Sequence, residues 1–179
     1  MDKPQEAAIA IYEELDAACE DYDPRAAEVV ARVARMITSR LDGVTVEHIG
    51  STSVPGCAGK GVVDLMVLYP PGKLEQAKAL LDAIGFQRQR TRDPFPEERP
   101  MRTGAIKHDN KTFRLHAHVI AADSDEAAGL RRFRDLLRAD APVRADYIAL
   151  KQAIIESGVT DTLDYSNAKD EFIKGILSG

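Results

Sequence analysis

Val44–Val67, VTVEHIGSTSVPGCAGKGVVDLMV, decides how the rest of the chain is read. It opens as an apolar strand, passes through a loop of small and hydroxyl residues that reaches Lys60, and continues as a second apolar strand. That second strand carries one acid, Asp64, between Val62-Val63 and Leu65-Met66-Val67. A carboxylate inside such a run needs a partner, because burying it unpaired is expensive. The loop Gly50-Ser51-Thr52-Ser53-Val54-Pro55-Gly56 offers three hydroxyls and backbone N–H groups, the parts of an anion cradle. A donor-rich loop beside a buried acid points to a phosphate-handling site with a metal.

Working outward, residues 5–20 place Ile9, Tyr12, Leu15 and Cys19 at helical spacing, which predicts an amphipathic opening helix. Asp23-Pro24 predicts the start of a second helix, with Val29, Val30, Val33, Met36, Ile37 and Leu41 as its core face and Gly43 as its stop. Strands are expected over 44–49 and 61–68, then a helix over 74–84 closed by Gly85, and a short strand at 86–89. From Arg88 to Lys111 the pattern breaks down: three prolines, and seven basic residues against four acids. This stretch reads as a solvated loop or a substrate lid. Thr112–Ile120 alternates cleanly, with Phe113, Leu115, Ala117 and Val119 on one face and Arg114, His116 and His118 on the other. Three helical segments follow, at about 125–139, 142–157 and 166–177. The expected class is α+β: a small mixed β-sheet flanked by helices, in one domain over 1–179, with a helical C-terminal portion at 122–179.

Composition narrows the function. The chain has 179 residues, 44% apolar and 30% charged, with a formal charge of −5, which argues against general nucleic-acid binding. Its start reads as no signal peptide, and no apolar run approaches the roughly 18 residues of a membrane span. Cys19 and Cys57 lack metal-type spacing, so a reduced cytoplasmic setting is the expectation.

If the polar faces of the three clear strands align, Glu47, Asp64, Arg114, His116 and His118 gather on one side of the sheet. Carboxylates with imidazoles there suit a divalent ion, and nearby donors suit an anionic substrate. Magnesium prefers oxygen ligands, so direct histidine ligation favours manganese, zinc or iron. The same residues also permit plainer roles. His116 and His118 also read as a solvated face, Asp64 as a partner of Lys60, and His48 as a brace for the loop.

Val46-Glu47-His48-Ile49-Gly50-Ser51-Thr52-Ser53-Val54-Pro55-Gly56, with Lys60 and Asp64, resembles the signature of the GrpB family. Tyr22-Asp23-Pro24, Leu115-His116-Ala117-His118-Val119, Phe133 to Arg138, Tyr147 with Lys151, and Tyr165 through Lys169 to Phe172 extend the resemblance over roughly 22–177. Residues 1–21 then look like an added helix. The resemblance implies a nucleotidyltransferase-like fold. In that superfamily a Gly-Ser turn holds the triphosphate, and an Asp-x-Asp pair with a third acid binds two metal ions. Gly50-Ser51 matches the turn and Asp64 the first acid, whereas Met66 stands at the second acid and His116 and His118 near the third. A thioether does not replace a carboxylate around magnesium.

The leading expectation is therefore transfer of a nucleotidyl or phosphoryl group from a nucleotide to a small-molecule acceptor. Gly50, Ser51, Thr52, Ser53, Lys60 and Arg114 would hold phosphate or nucleotide. Asp64, Glu47, His116 and His118 would hold a divalent metal (magnesium or manganese, or zinc), and Asp64, His116 and His118 would serve the chemistry. Arg90, Arg92 and Arg102 are candidates to close over the substrate. The alternatives are a binding module that has lost the two-metal centre and a mononuclear transition-metal hydrolase.

Overall fold

In a computed structural model, described over residues 9–179, five strands form one mixed sheet. The elements in chain order are α1 (Arg25–Thr38), β1 (Thr45–Ile49), β2 (Val62–Tyr69), α2 (Leu74–Ala83), β3 (Gln87–Arg88), β4 (Met101–His108) and β5 (Lys111–Ala121), followed by α3 (Asp125–Ala139), α4 (Ala141–Glu156) and α5 (Thr162–Ser178). The sheet order is β1-β2-β5-β4-β3, with the central β2/β5 pair parallel and the other pairs antiparallel. No helix among the described residues is long and apolar enough to cross a membrane.

Alternation along β5 decides what each face of the sheet does. Phe113, Leu115, Ala117 and Val119 enter the main core, which α1 closes with Val29, Val30, Val33, Met36 and Ile37 and α2 closes with Ala77 and Leu81. The opposite face carries Arg114, His116 and His118 in register with Val62, Asp64 and Met66 of β2. Helices α3, α4 and α5 stand over that side, and each starts on a side-chain cap. Ser124 accepts from Ala127 N, Asp140 from Val143 N, and Asp161 from Leu163 N and Asp164 N.

The stretch expected to be irregular contains a full strand. β4 pairs with β5 from Met101↔His118 to His108↔Lys111 through a two-residue turn, Asp109-Asn110, with φ of 45° and 60°. Positive φ at both central residues is the mark of a type I′ hairpin, and Asp and Asn tolerate it better than most residues. Strand periodicity fails here because Arg102, Thr103 and Gly104 are all buried. Arg102, only 1% exposed, is neutralised by Asp82 at 2.7 Å and by a fork to Glu97 at 2.9 and 3.1 Å.

The opening helix is corrected over residues 9–20; residues 5–8 lie outside the described region. Residues 9–20 form an extended strap. Ala10 and Ala105 exchange backbone hydrogen bonds at 2.7 and 2.9 Å, Ala17 N donates to Thr160 O at 2.7 Å, and Glu20 and Gly59 exchange bonds at 2.6 and 3.0 Å. These bonds tie the strap down at separate points, and the bridge to β4 brings Ile9 into the core against the sheet. Leu15 stays 54% exposed, so the helical spacing corresponds to no buried face.

Gly104 makes this docking feasible, because a Cβ there would collide with Ile9 Cγ2 and crowd Phe86. Gly104→Val is expected to destabilise the fold by about 1–3 kcal/mol through overpacking. It should also expose the Tyr12–Leu15 segment to limited proteolysis. Unchanged urea unfolding with an equally resistant strap would contradict this account of the docking.

Candidate functional site

Three side chains converge where β2 meets β5. Asp64 Oδ1 lies 3.4 Å from His116 Nδ1 and 3.4 Å from His118 Nε2. One ligand atom from each of Asp64, His116 and His118 falls within 4.8 Å of the others, a spacing that a single ion can bridge. Burial alone would raise the Asp64 carboxyl, but the hydrogen bonds from the two imidazoles outweigh it and hold the group well below its usual range. Burial pushes His116 below its usual value, against the pull of Asp64.

Each imidazole has a second contact. His116 Nε2 is 3.2 Å from the Tyr12 hydroxyl of the strap, whose pKa is raised to about 12 by burial and by Glu14. His118 Nδ1 is 3.1 Å from Arg99, and Phe95 meets the same ring edge-on.

The cradle loop closes over Asp64 from the β1 side. Gly50 has φ of 71°, and a Cβ there would stand 2.7 Å from Asp64 Oδ2, so only glycine lets the loop sit this close. The loop hydroxyls are engaged inside the fold. Ser53 Oγ donates to Gly50 O at 2.6 Å, and His48 Nε2 meets Thr52 Oγ1 at 2.8 Å, which is the expected brace. Burial drives His48 down to about 4, so that imidazole is neutral at ordinary pH.

Ser51 Oγ accepts from Lys151 Nζ at 2.7 Å. Lys151 is 0% exposed, donates also to Ala58 O, and lies over the Tyr147 ring at 4.3 Å. Burial lowers its pKa. It is a strut between α4 and both ends of the loop.

Asp64, His116 and His118 open onto a cavity of about 640 Å³. Gly50, Lys60 and Lys169 share its polar side, and Leu130, Phe133 and Ile173 its apolar side. Burial, with Lys60 and Lys151 adding repulsion, lowers Lys169 to about 7. Its amine lies 4.6 Å over the Tyr165 ring and pairs with no carboxylate among the described residues.

Other expected residues stand elsewhere. Glu47 is on the same sheet face, but Arg131 (2.7 Å) and Arg134 (3.1 Å) of α3 take its carboxylate, so it does not join the ligand cluster. Those two guanidiniums hold its pKa down. Arg114 donates to Lys60 O at 2.9 Å. Of the arginines expected to close over a substrate, Arg90 lines the cavity and Arg92 pairs with Asp161 and Asp164. Arg102 is itself buried and committed to the carboxylates of Asp82 and Glu97, and is corrected as a lid residue.

Met66 is 0% exposed, packed with Ile49, Leu68, Ile120 and Ala127. A two-magnesium centre does not fit a site whose second-acid position is apolar core and whose remaining donors are imidazoles. The Asp64, His116 and His118 donors do fit a single ion that accepts nitrogen ligands. Tyr12, Lys151 and Lys169 were not singled out as site residues. Tyr147 with Lys151, and Tyr165 with Lys169, repeat a four-residue helical spacing that carried the available signal.

The model of the GrpB protein family matches residues 16–178, and the chain belongs to that family. It is 38% identical to a UPF0157 protein of Streptomyces coelicolor over 167 residues, covering 93% of this chain and 85% of that protein. A UPF0157 protein of Halalkalibacterium halodurans is 29% identical over 98% of this chain and 84% of its own length. Among solved structures, the conserved protein GrpB of Enterococcus faecalis superposes with a TM-score of 0.65 at 27% identity, covering 90% of this chain and 95% of that one. The Cid1 poly(U) polymerase with MgGTP bound superposes with a TM-score of 0.52 at 15% identity, over 75% of this chain and 44% of that one. At that identity the likeness is one of fold, and the fold is nucleotidyltransferase-like.

The geometry at Lys151 yields a prediction. Lys151→Met keeps the stem and removes the donors, leaving Ala58 O and Ser51 Oγ short of partners. Stability to urea is expected to fall by about 1–3 kcal/mol. A variant as stable as the parent would show that Lys151 is no strut.

Proposed function

We propose that this GrpB-family chain binds a nucleotide or other phosphorylated small molecule in the cavity beside Asp64. It transfers a nucleotidyl or phosphoryl group from that molecule to a small-molecule acceptor. The observation that carries the reading is the convergence of Asp64, His116 and His118 at the wall of a cavity that also presents Lys60 and Lys169. Asp64, His116 and His118 would hold one divalent ion, manganese or zinc suiting the donor set better than magnesium. When bound, such an ion supplies Lewis-acid neutralisation of charge on a phosphoryl oxygen.

The chain's own residues supply the rest. Gly50 lets a ligand and the loop backbone approach Asp64 closely. Lys60 disfavours the charge on Lys169, and an anion bound beside both would offset that repulsion. Tyr12 and the strap cover His116 and limit water on that side. The apolar wall of Leu130, Phe133 and Ile173 suits the uncharged part of a nucleotide or acceptor.

A second reading is favoured by Met66. Because the second-acid position is buried and apolar, the chain is also compatible with a module that binds phosphorylated ligands without turning them over.

Thermal shift with a panel of nucleotides and with magnesium, manganese or zinc tests the reading. Stabilisation is expected from a nucleotide together with an ion, is expected to be lost in Asp64→Asn, and should be accompanied by product detectable by mass spectrometry. Metal-independent stabilisation without product would favour the binding module. No stabilisation by any nucleotide, with Asp64→Asn behaving like the parent, would contradict both.

Proton linkage gives an independent check. The free Lys169 amine titrates near 7, and a bound anion raises that value. At pH 8, phosphate-ligand binding should therefore take up as much as about one proton, shrinking as the pH drops below 7 because the amine is already charged. Calorimetry in buffers of different ionisation enthalpy reads the uptake, and Lys169→Met should abolish it. Equal uptake by parent and variant would remove Lys169 from the ligand.

A further inference from the structure

We propose that Arg99 is a positioning residue that fixes which nitrogen of His118 carries the proton, and so holds the Asp64 site against a divalent ion until Arg99 withdraws. The inference rests on the single-ion reading above and concerns what controls access to that ion's ligands.

A guanidinium has only donors. Arg99 Nη1, 3.1 Å from His118 Nδ1, therefore makes Nδ1 the acceptor. In neutral imidazole the proton then sits on Nε2, the nitrogen 3.4 Å from Asp64 Oδ1. The atom that would have to offer a lone pair to an ion is instead an N–H aimed at the carboxylate. Moving the proton to Nδ1 would set it against an Arg99 N–H, so ligation by His118 requires Arg99 to leave.

His116 shows the contrast. Its outer nitrogen faces the Tyr12 hydroxyl at 3.2 Å, and a hydroxyl donates or accepts with equal ease. His116 can change tautomer without moving anything. The restraint therefore falls on one ligand of the three.

Arg99 is itself held in place. It forks onto Glu126 of α3 through Nε, at 2.9 and 3.0 Å, and through Nη2. Its guanidinium lies 4.5 Å over the Phe95 ring, which in turn contacts His118 edge-on. Arg99 and Phe95 both belong to the segment between β3 and β4, and Phe95 lines the cavity. A ligand that displaces Phe95 would also unseat Arg99, which couples filling of the cavity to completion of the ion site.

The test is calorimetric titration of Mn2+ alone into metal-free protein, with 15N NMR of the His118 ring as a second readout. Arg99→Met should bind Mn2+ about tenfold more tightly than the parent, because the bond it removes is a charge-assisted one. The parent ring should carry its proton on Nε2 and lose that preference in the variant. Removing a positive charge would by itself favour a cation, so Glu126→Gln separates the two causes. Loss of that carboxylate weakens cation binding by simple electrostatics, but it frees Arg99 and should tighten Mn2+ binding several-fold. Tighter binding in both variants, with the Nε2 proton in the parent, is the expected result. Tight binding by the parent with no gain in Arg99→Met, a gain there but a loss in Glu126→Gln, or an Nδ1-protonated parent ring would each overturn this inference alone. No Mn2+ bound by any of the three proteins would overturn it together with the single-ion reading.

Discussion

A carboxylate set among apolar strand residues at the centre of a sheet is tolerable only where the surrounding fold supplies hydrogen bonds to it, and Asp64 imposes that constraint here. The parallel pairing of β2 with β5 puts His116 directly opposite Asp64 and His118 two residues further on. Antiparallel pairing with β1 puts Ile49 opposite it on the other side, and the chain then turns at Gly50 directly over Oδ2. A slip of one residue in either ladder would send Asp64 or the histidines into the α1/α2 core, so the register of the sheet and the satisfaction of this acid are one requirement.

The helical half and the strap depend on that arrangement. α4 reaches back with Lys151 to hold Ser51 and Ala58, α3 uses Arg131 and Arg134 to engage Glu47, and Arg138 donates to Ser53 O at 2.8 and 3.0 Å. The cradle is thus fixed from the side away from the cavity, and the strap closes on His116 from the opposite edge. Donors from α3 and α4 spent on loop carbonyls and hydroxyls, the buried Lys151 among them, make a rigid rim. Lys60, Lys169 and the imidazoles face the open volume.

Much of this was legible from residues alone, for local reasons. Period-2 alternation in β5 and the apolar runs around Asp64 announced the central strands, and the Gly-Ser-Thr-Ser loop announced the cradle. The family resemblance supplied the fold. What escaped reading was settled by tertiary contacts. Residues 9–20 have helical spacing, yet edge pairing with β4 at Ala10 and Ala105 overrides it. β4 hides its alternation because Arg102 is buried and paired with two partly exposed carboxylates, and Gly104 is needed for Ile9. Glu47 lies on the right face, but two α3 arginines distant in sequence claim it. Lys151 and Lys169 enter the sequence reading only through the family resemblance, and their contacts with the loop and the cavity depend on tertiary packing.

The proposal of a single ion in place of a two-metal centre follows from where Met66 lies. With Met66 in the apolar cluster beneath α3, nothing at that position calls for a second cation, and the neighbouring strand offers imidazole in place of carboxylate. Our central claim is that one ion, held by Asp64, His116 and His118, replaces the pair. A crystal structure with Mn2+ and a non-hydrolysable nucleotide, phased to reveal anomalous scatterers, addresses it most directly. The account predicts one manganese peak bonded to those three residues, with phosphate oxygens between it and Lys60 and Lys169. Two peaks beside Asp64, or a nucleotide bound with no ion there, would contradict it.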